Sequence, residues 1–67
     1  MSVAKHIEIT ASSASSFEDA IKEGIAHANK TLKNVTGAWV QDQKVTIKDG
    51  AVDEYRVALK VTFVLND

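Results

Sequence analysis

A chain of 67 residues without cysteine reads as one small domain spanning 1–67, marginal on its own core and without disulfides or thiolate metal sites, so that oligomerisation is the reinforcement left to it. A net charge of −1 and a pI of about 6.0 exclude the clustered basic footprint of a nucleic-acid partner. No apolar run reaches membrane-spanning length and the N-terminus lacks an apolar signal region, so the expectation is a soluble, cytoplasmic protein with no membrane partner.

Val3 to Thr10 alternates, with Val3, Ile7 and Ile9 on one side and His6, Glu8 and Thr10 on the other, which predicts a half-buried strand. Ala11 to Ser16 is small and polar and suits a connector. Ser16 with Asp19 suits a helix N-cap, and Ser15 with Glu18 is the alternative register. Phe17 to Lys33 predicts a helix, because Phe17, Ala20, Ile21, Gly24, Ile25, Ala28 and Leu32 form one apolar stripe at spacings of three and four. Gly24 within that stripe costs up to about 1 kcal/mol in a helix, a cost explained by close approach of helix to sheet.

Val35 to Lys48 predicts a long strand, Asp49-Gly50 a type I′ hairpin turn, and Val52 to Leu65 the returning strand. In the last strand Tyr55, Val57, Leu59, Val61, Phe63 and Leu65 repeat at period two. In the preceding strand the pattern switches, from apolar Ala38 and Val40 at even positions to Val45 and Ile47 at odd positions. Only a bulge or sharp bend changes inward parity, so one is predicted within Gln41-Asp42-Gln43-Lys44. Gly37, Trp39 and Gln41 then share the outer sheet face, away from the helix, with Arg56. The alternative puts Trp39 in the core and the switch elsewhere.

The fold class is therefore α+β, a β-α-β-β chain with a three-stranded antiparallel sheet partly wrapping one helix. Strands of 14 residues extend roughly 46 Å, whereas the helix spans roughly 26 Å. One helix cannot cover such a sheet. Exposing Tyr55, Phe63 or Leu65 forgoes about 1.5–3 kcal/mol for each of the larger side chains, and apolar patches of that kind mark interaction surfaces. Symmetric self-association solves the problem; a monomer with a strongly bent sheet is the competing solution.

Strand, serine-rich turn, helix and long hairpin together resemble the dodecin family over essentially the whole chain. The stretches that carry the resemblance are Ile7-Glu8-Ile9-Thr10, Ser16-Phe17-Glu18-Asp19-Ala20, Lys30-Thr31-Leu32-Lys33-Asn34-Val35, Lys48-Asp49-Gly50 and Tyr55 to Phe63. The resemblance implies a homododecamer, a hollow shell with sheets inside and helices outside, that binds a flavin (riboflavin or flavin mononucleotide, FMN) or a similar aromatic ligand for storage or buffering, and it implies no enzyme. It also exposes two departures. The position of the ring-stacking tryptophan is Gly37 here, with Trp39 two residues on, and the position of a ring-bonding glutamine is Arg56. Trp39, Arg56, Gly37, Gln41 and Lys44 are the candidate ligand-binding residues, Lys44 being equally readable as a solvated strand charge. The alternative function is a dodecameric scaffold without a flavin site that binds ions, through Glu8, Asp42 or Glu54, or another small ligand. His6 and Glu8 share a strand face, but the sequence holds no nucleophile–base pair, phosphate-cradling glycine loop or metal motif.

Overall fold

The computed structural model describes residues 3–65; Met1, Ser2, Asn66 and Asp67, the ends of the 1–67 domain expected above, lie outside the described residues. Strand β1 (Val3–Ser13) leads to helix α1 (Phe17–Thr31), strand β2 (Val35–Lys48) and strand β3 (Ala51–Leu65). All pairings are antiparallel, in the order β1-β3-β2. The strand with the longest uninterrupted apolar alternation thus takes the central position, where both its edges are paired.

β1 runs three residues past the expected Thr10, because Ala11 and Ser13 continue the ladder opposite Val57 and Tyr55. Ser13 is buried and acts as a polar hub. Its hydroxyl donates to Asp19 Oδ2 at 2.7 Å and accepts from the Ser15 amide at 2.9 Å. Ser16 is the helix N-cap, accepting from the Asp19 amide at 3.0 Å. The Asp19 carboxylate therefore fastens the helix start to β1 rather than closing a capping box on Ser16.

α1 ends two residues before the expected Lys33. Leu32 is already extended, although its amide still donates to Ala28 O at 3.0 Å. Asn34 then takes a left-handed conformation with φ 62°, which asparagine tolerates better than most residues. The Val64 amide donates to Asn34 O at 3.0 Å, so this corner is tied to the far end of β3. At the hairpin, Asp49 and Gly50 have φ of 52° and 77°, as a type I′ turn requires.

The core is Ala20, Val57, Leu59 and Val61, flanked by Ile7, Ile9, Ala11, Phe17, Ile21, Ile25 and Val35. Small residues face the sheet where the helix comes closest. A Cβ on Gly24 would lie 3.0 Å from Ala11 Cβ and 3.2 Å from Leu59 Cδ1, which confirms the close approach. Tyr55, expected to need a partner, is half-covered by an edge-to-face contact with Phe17, ring centroids 5.1 Å apart. α1 packs on β1 and β3. β2 is left almost bare, with Val40, Val45 and Ile47 exposed, and a groove of about 380 Å³ lies between Ile21, Ile25 and the stretch from Val35 to Val40.

The molecule measures 51 × 19 × 14 Å, with a radius of gyration of 13.8 Å, against about 11 Å for a compact domain of this length. No helix among the described residues is long and apolar enough to cross a membrane.

Candidate functional site

The outer sheet face is defined by register. Val57, Leu59 and Val61 are buried under the helix, so Arg56, Ala58, Lys60 and Thr62 point the other way, together with every residue paired to them. From β1 these are His6, Glu8, Thr10 and Ser12; from β2 they are Gly37, Trp39, Asp42 and Lys44.

Three register shifts shape this face, between Val35 and Gly37, Val40 and Asp42, and Thr46 and Ile47. The middle one leaves Gln41 without a Cα partner, at the start of the segment where the parity switch predicts a bulge. Its consequence is the predicted one: Ala38 and Val40 lie on the helix side before it, Gln43 and Val45 after it. The other two shifts leave Thr36 and Asp53 as extra residues. Each coincides with a parity change of its own, Val35 to Ala38 and Val52 to Tyr55, carried by one apolar residue at a strand end and not read from the sequence.

Trp39 lies on the outer face opposite Lys60 and is 46% exposed. His6 makes a T-shaped contact with its ring, centroids 5.3 Å apart, and Lys60 Nζ sits 5.7 Å from the ring centroid, a cation–π contact worth about 0.5–1 kcal/mol at an exposed site. His6 Nδ1 and Thr62 Oγ1 share a hydrogen bond of 3.0 Å, and Lys60 Nζ lies 3.9 Å from Glu8 Oε1. Gly37 is opposite Thr62, with nothing within 4 Å of the place a Cβ would take. The backbone beside Trp39 is thus bare, and a flat group has room to lie against it.

Arg56 and Lys44 form a second group. They are direct cross-strand partners. Arg56 donates through Nε and Nη2 to Glu54 Oε1, at 3.3 and 3.0 Å. Thr10, Asp42, Lys44, Arg56 and Ala58 border a shallow hollow of about 100 Å³. The two groups are four residues apart along β3, about 13 Å, with Gln41 between their levels on β2. Of the five candidate residues, Gly37 with Trp39 and Lys44 with Arg56 are therefore brought together as two pairs rather than one cluster. Reading the sequence missed Lys60 and Thr62, whose part depends on register against Trp39. No group of three or more metal-ligating side chains is present among the described residues.

The chain matches the family model described as Dodecin over residues 3–66. It is 35% identical over 65 residues to a dodecin of Thermus thermophilus, covering 97% of this chain and 94% of that protein. The crystal structure of a mutant T. thermophilus dodecin superposes with a TM-score of 0.94 at 34% identity, over the full length of both chains. A calcium dodecin from Mycobacterium tuberculosis, described as a calcium-chelating immunodominant antigen with a novel calcium-binding site, superposes with a TM-score of 0.84 at 29% identity, covering 96% of this chain and 91% of that one.

Proposed function

The chain belongs to the dodecin family, and from that premise we propose that it assembles as a homododecameric shell whose outer sheet face, turned inward in the assembly, holds a flavin or a similar flat aromatic ligand for storage or buffering, without catalysing a reaction. The observation that carries the ligand is Trp39. A large aromatic ring half-open to solvent on the helix-free face, next to the bare backbone of Gly37, is a stacking platform. Residues two apart on a strand share a face, so the ring keeps the side of the sheet on which relatives place theirs and is displaced along it by about 7 Å.

Titration of the purified protein with riboflavin and with FMN tests the reading. Flavin fluorescence is expected to be quenched as the ring stacks, and full fluorescence at micromolar protein overturns it. Native mass spectrometry tests the assembly, with twelve 7.3 kDa chains as the expected species.

A scaffold without a flavin site is the second reading. It is favoured by the engagement of the Trp39 ring with His6 and Lys60, and by Glu54 holding Arg56 at the position of the ring-bonding glutamine. In such a shell Glu8, Asp42 or Glu54 from symmetry-related copies would gather an ion. A protein purified with bound flavin refutes this version.

A further inference from the structure

Trp39 does not stand alone on the outer face. The register that sets it opposite Lys60 also sets Glu8 opposite Lys60 from the other side, and Gly37 and His6 opposite Thr62. Two adjacent rows thus cross the three strands, Gly37-Thr62-His6 and Trp39-Lys60-Glu8. The tryptophan ring leans across them, its centroid 5.3 Å from that of His6, a diagonal neighbour on the far strand.

Lys60 is the cation of this patch. Its side chain is 34% exposed, and its carboxylate partner among the described residues, Glu8 Oε1, lies 3.9 Å away on a side chain that is 64% exposed. A contact that long and that open to solvent is a weak ion pair, yet it marks where a carboxylate fits beside the ammonium. Lys60 Nζ is also 5.7 Å from the Trp39 ring centroid, so the charge borders the ring on which a ligand would stack. His6 Nδ1 and Thr62 Oγ1 are 3.0 Å apart. The tautomer in which Nδ1–H donates leaves the Thr62 hydroxyl proton for a ligand oxygen. Beside Thr62, nothing lies within 4 Å of the place a Cβ on Gly37 would take.

We propose that this patch binds a planar aromatic acid, one whose carboxylate is attached directly to the ring. The ring lies on Trp39 beside the bare backbone of Gly37. The carboxylate takes Lys60 Nζ from Glu8, with the Thr62 hydroxyl as a second donor. The short reach follows from the geometry: Lys60 borders the stacking ring itself, so a charge on a long tether overshoots it. This rests on the reading of Trp39 as a ligand platform and gives that platform a ligand class, an aromatic anion in preference to a neutral ring. Trp39 offers stacking to any flat ring. Lys60 supplies the choice between them, because its ammonium gains a charge-assisted hydrogen bond of full strength only from an anion.

2-Naphthoate and 2-naphthamide share a ring and nearly a shape and differ in charge. Their affinity ratio, measured by calorimetric titration of the assembled protein, therefore reads Lys60 directly. The naphthoate is expected to bind about tenfold tighter at low salt, from one charge-assisted hydrogen bond, and the advantage should shrink as salt rises. Lys60→Met, which keeps a long side chain and removes the charge, should bring the ratio to within about twofold. Glu8→Gln, which frees Lys60 of its competitor, should raise it. Trp39→Ala should weaken both probes by about fivefold or more, with the assembly of every variant checked by native mass spectrometry. Equal binding of the two probes, or a ratio that Lys60→Met leaves unchanged, overturns the aromatic acid as the ligand while the platform stands. Binding of both probes that Trp39→Ala leaves unaltered overturns the site. Riboflavin binding without either naphthyl probe overturns this inference and leaves the flavin reading intact. Failure of riboflavin and of both probes overturns the two together.

Discussion

Trp39 concentrates the ligand question in one side chain. Its ring is polarised by Lys60 and held in a T-shaped contact with His6, so it is held in place before any ligand arrives. Stacking on such a ring is worth about 1–3 kcal/mol. Trp39→Ala is accordingly expected to weaken flavin binding by about five- to 150-fold in a fluorescence titration, with little effect on unfolding. Gly24 makes the opposite kind of statement, about packing alone. Gly24→Ala would gain about 1 kcal/mol of helix propensity, but the new methyl meets Ala11 Cβ, fixed to a strand backbone, at 3.0 Å. Overpacking of this kind costs about 1–3 kcal/mol, so urea denaturation should show a net loss of about 1 kcal/mol. A gain in stability would mean that the helix can lift from β1.

The strands carry the information on faces. In β2 the extra residue Gln41 lets Ala38 and Val40 before it, and Val45 after it, all look toward the helix side, while Trp39 and Lys44 look away. Deleting Gln41 leaves one segment of β2 or the other out of phase. Either Val45 and Ile47 turn to the outer face with Lys44 inward, or Trp39 turns toward α1. The expected outcome is loss of assembly and of any flavin quench together, measured by native mass spectrometry and fluorescence on the same sample. Retention of both would show that the ladder repairs itself by moving the bulge. The helix carries a different pattern. Its smallest apolar residues, Ala20, Gly24 and Ala28, are the buried ones, and Ile21 and Ile25 stay half-covered beside β2. The apolar stripe was legible in the sequence; which part of it touches the sheet was not, because that depends on where the helix sits across three strands.

The whole chain exposes 4819 Å², whereas a compact monomer of 7.3 kDa would expose about 4,200 Å². The excess lies in an elongated sheet whose apolar ends, Val3 with Leu65 and Ile47 with Val52, are left exposed among the described residues. Ile47 is 61% exposed, so Ile47→Glu should change the stability of the isolated chain by no more than about 0.5 kcal/mol. In the assembly the same charge would be desolvated against apolar surface. Native mass spectrometry should therefore find smaller species for Ile47→Glu than for the unmodified protein, and an unchanged distribution would place the subunit contacts elsewhere.

Local chemistry, read along the sequence, was enough for the four elements, the Asp49-Gly50 turn, the bulge near Gln41 and the outer position of Trp39. Each follows from periodicity or from the backbone preferences of a few neighbouring residues. The long strands against a short helix were enough to predict uncovered apolar surface. Tertiary structure alone decided the rest. Ser13 became a buried hub because β1 ran on far enough to meet Asp19. Lys60 came beneath Trp39, and Arg56 came opposite Lys44, only once the strands were in register. Two of the register shifts, at Thr36 and Asp53, also turn the apolar parity, from Val35 to Ala38 and from Val52 to Tyr55. Each turn rests on a single apolar residue at a strand end, too short a series to fix a face by itself, and its effect is felt across the strand, by side chains far apart in sequence.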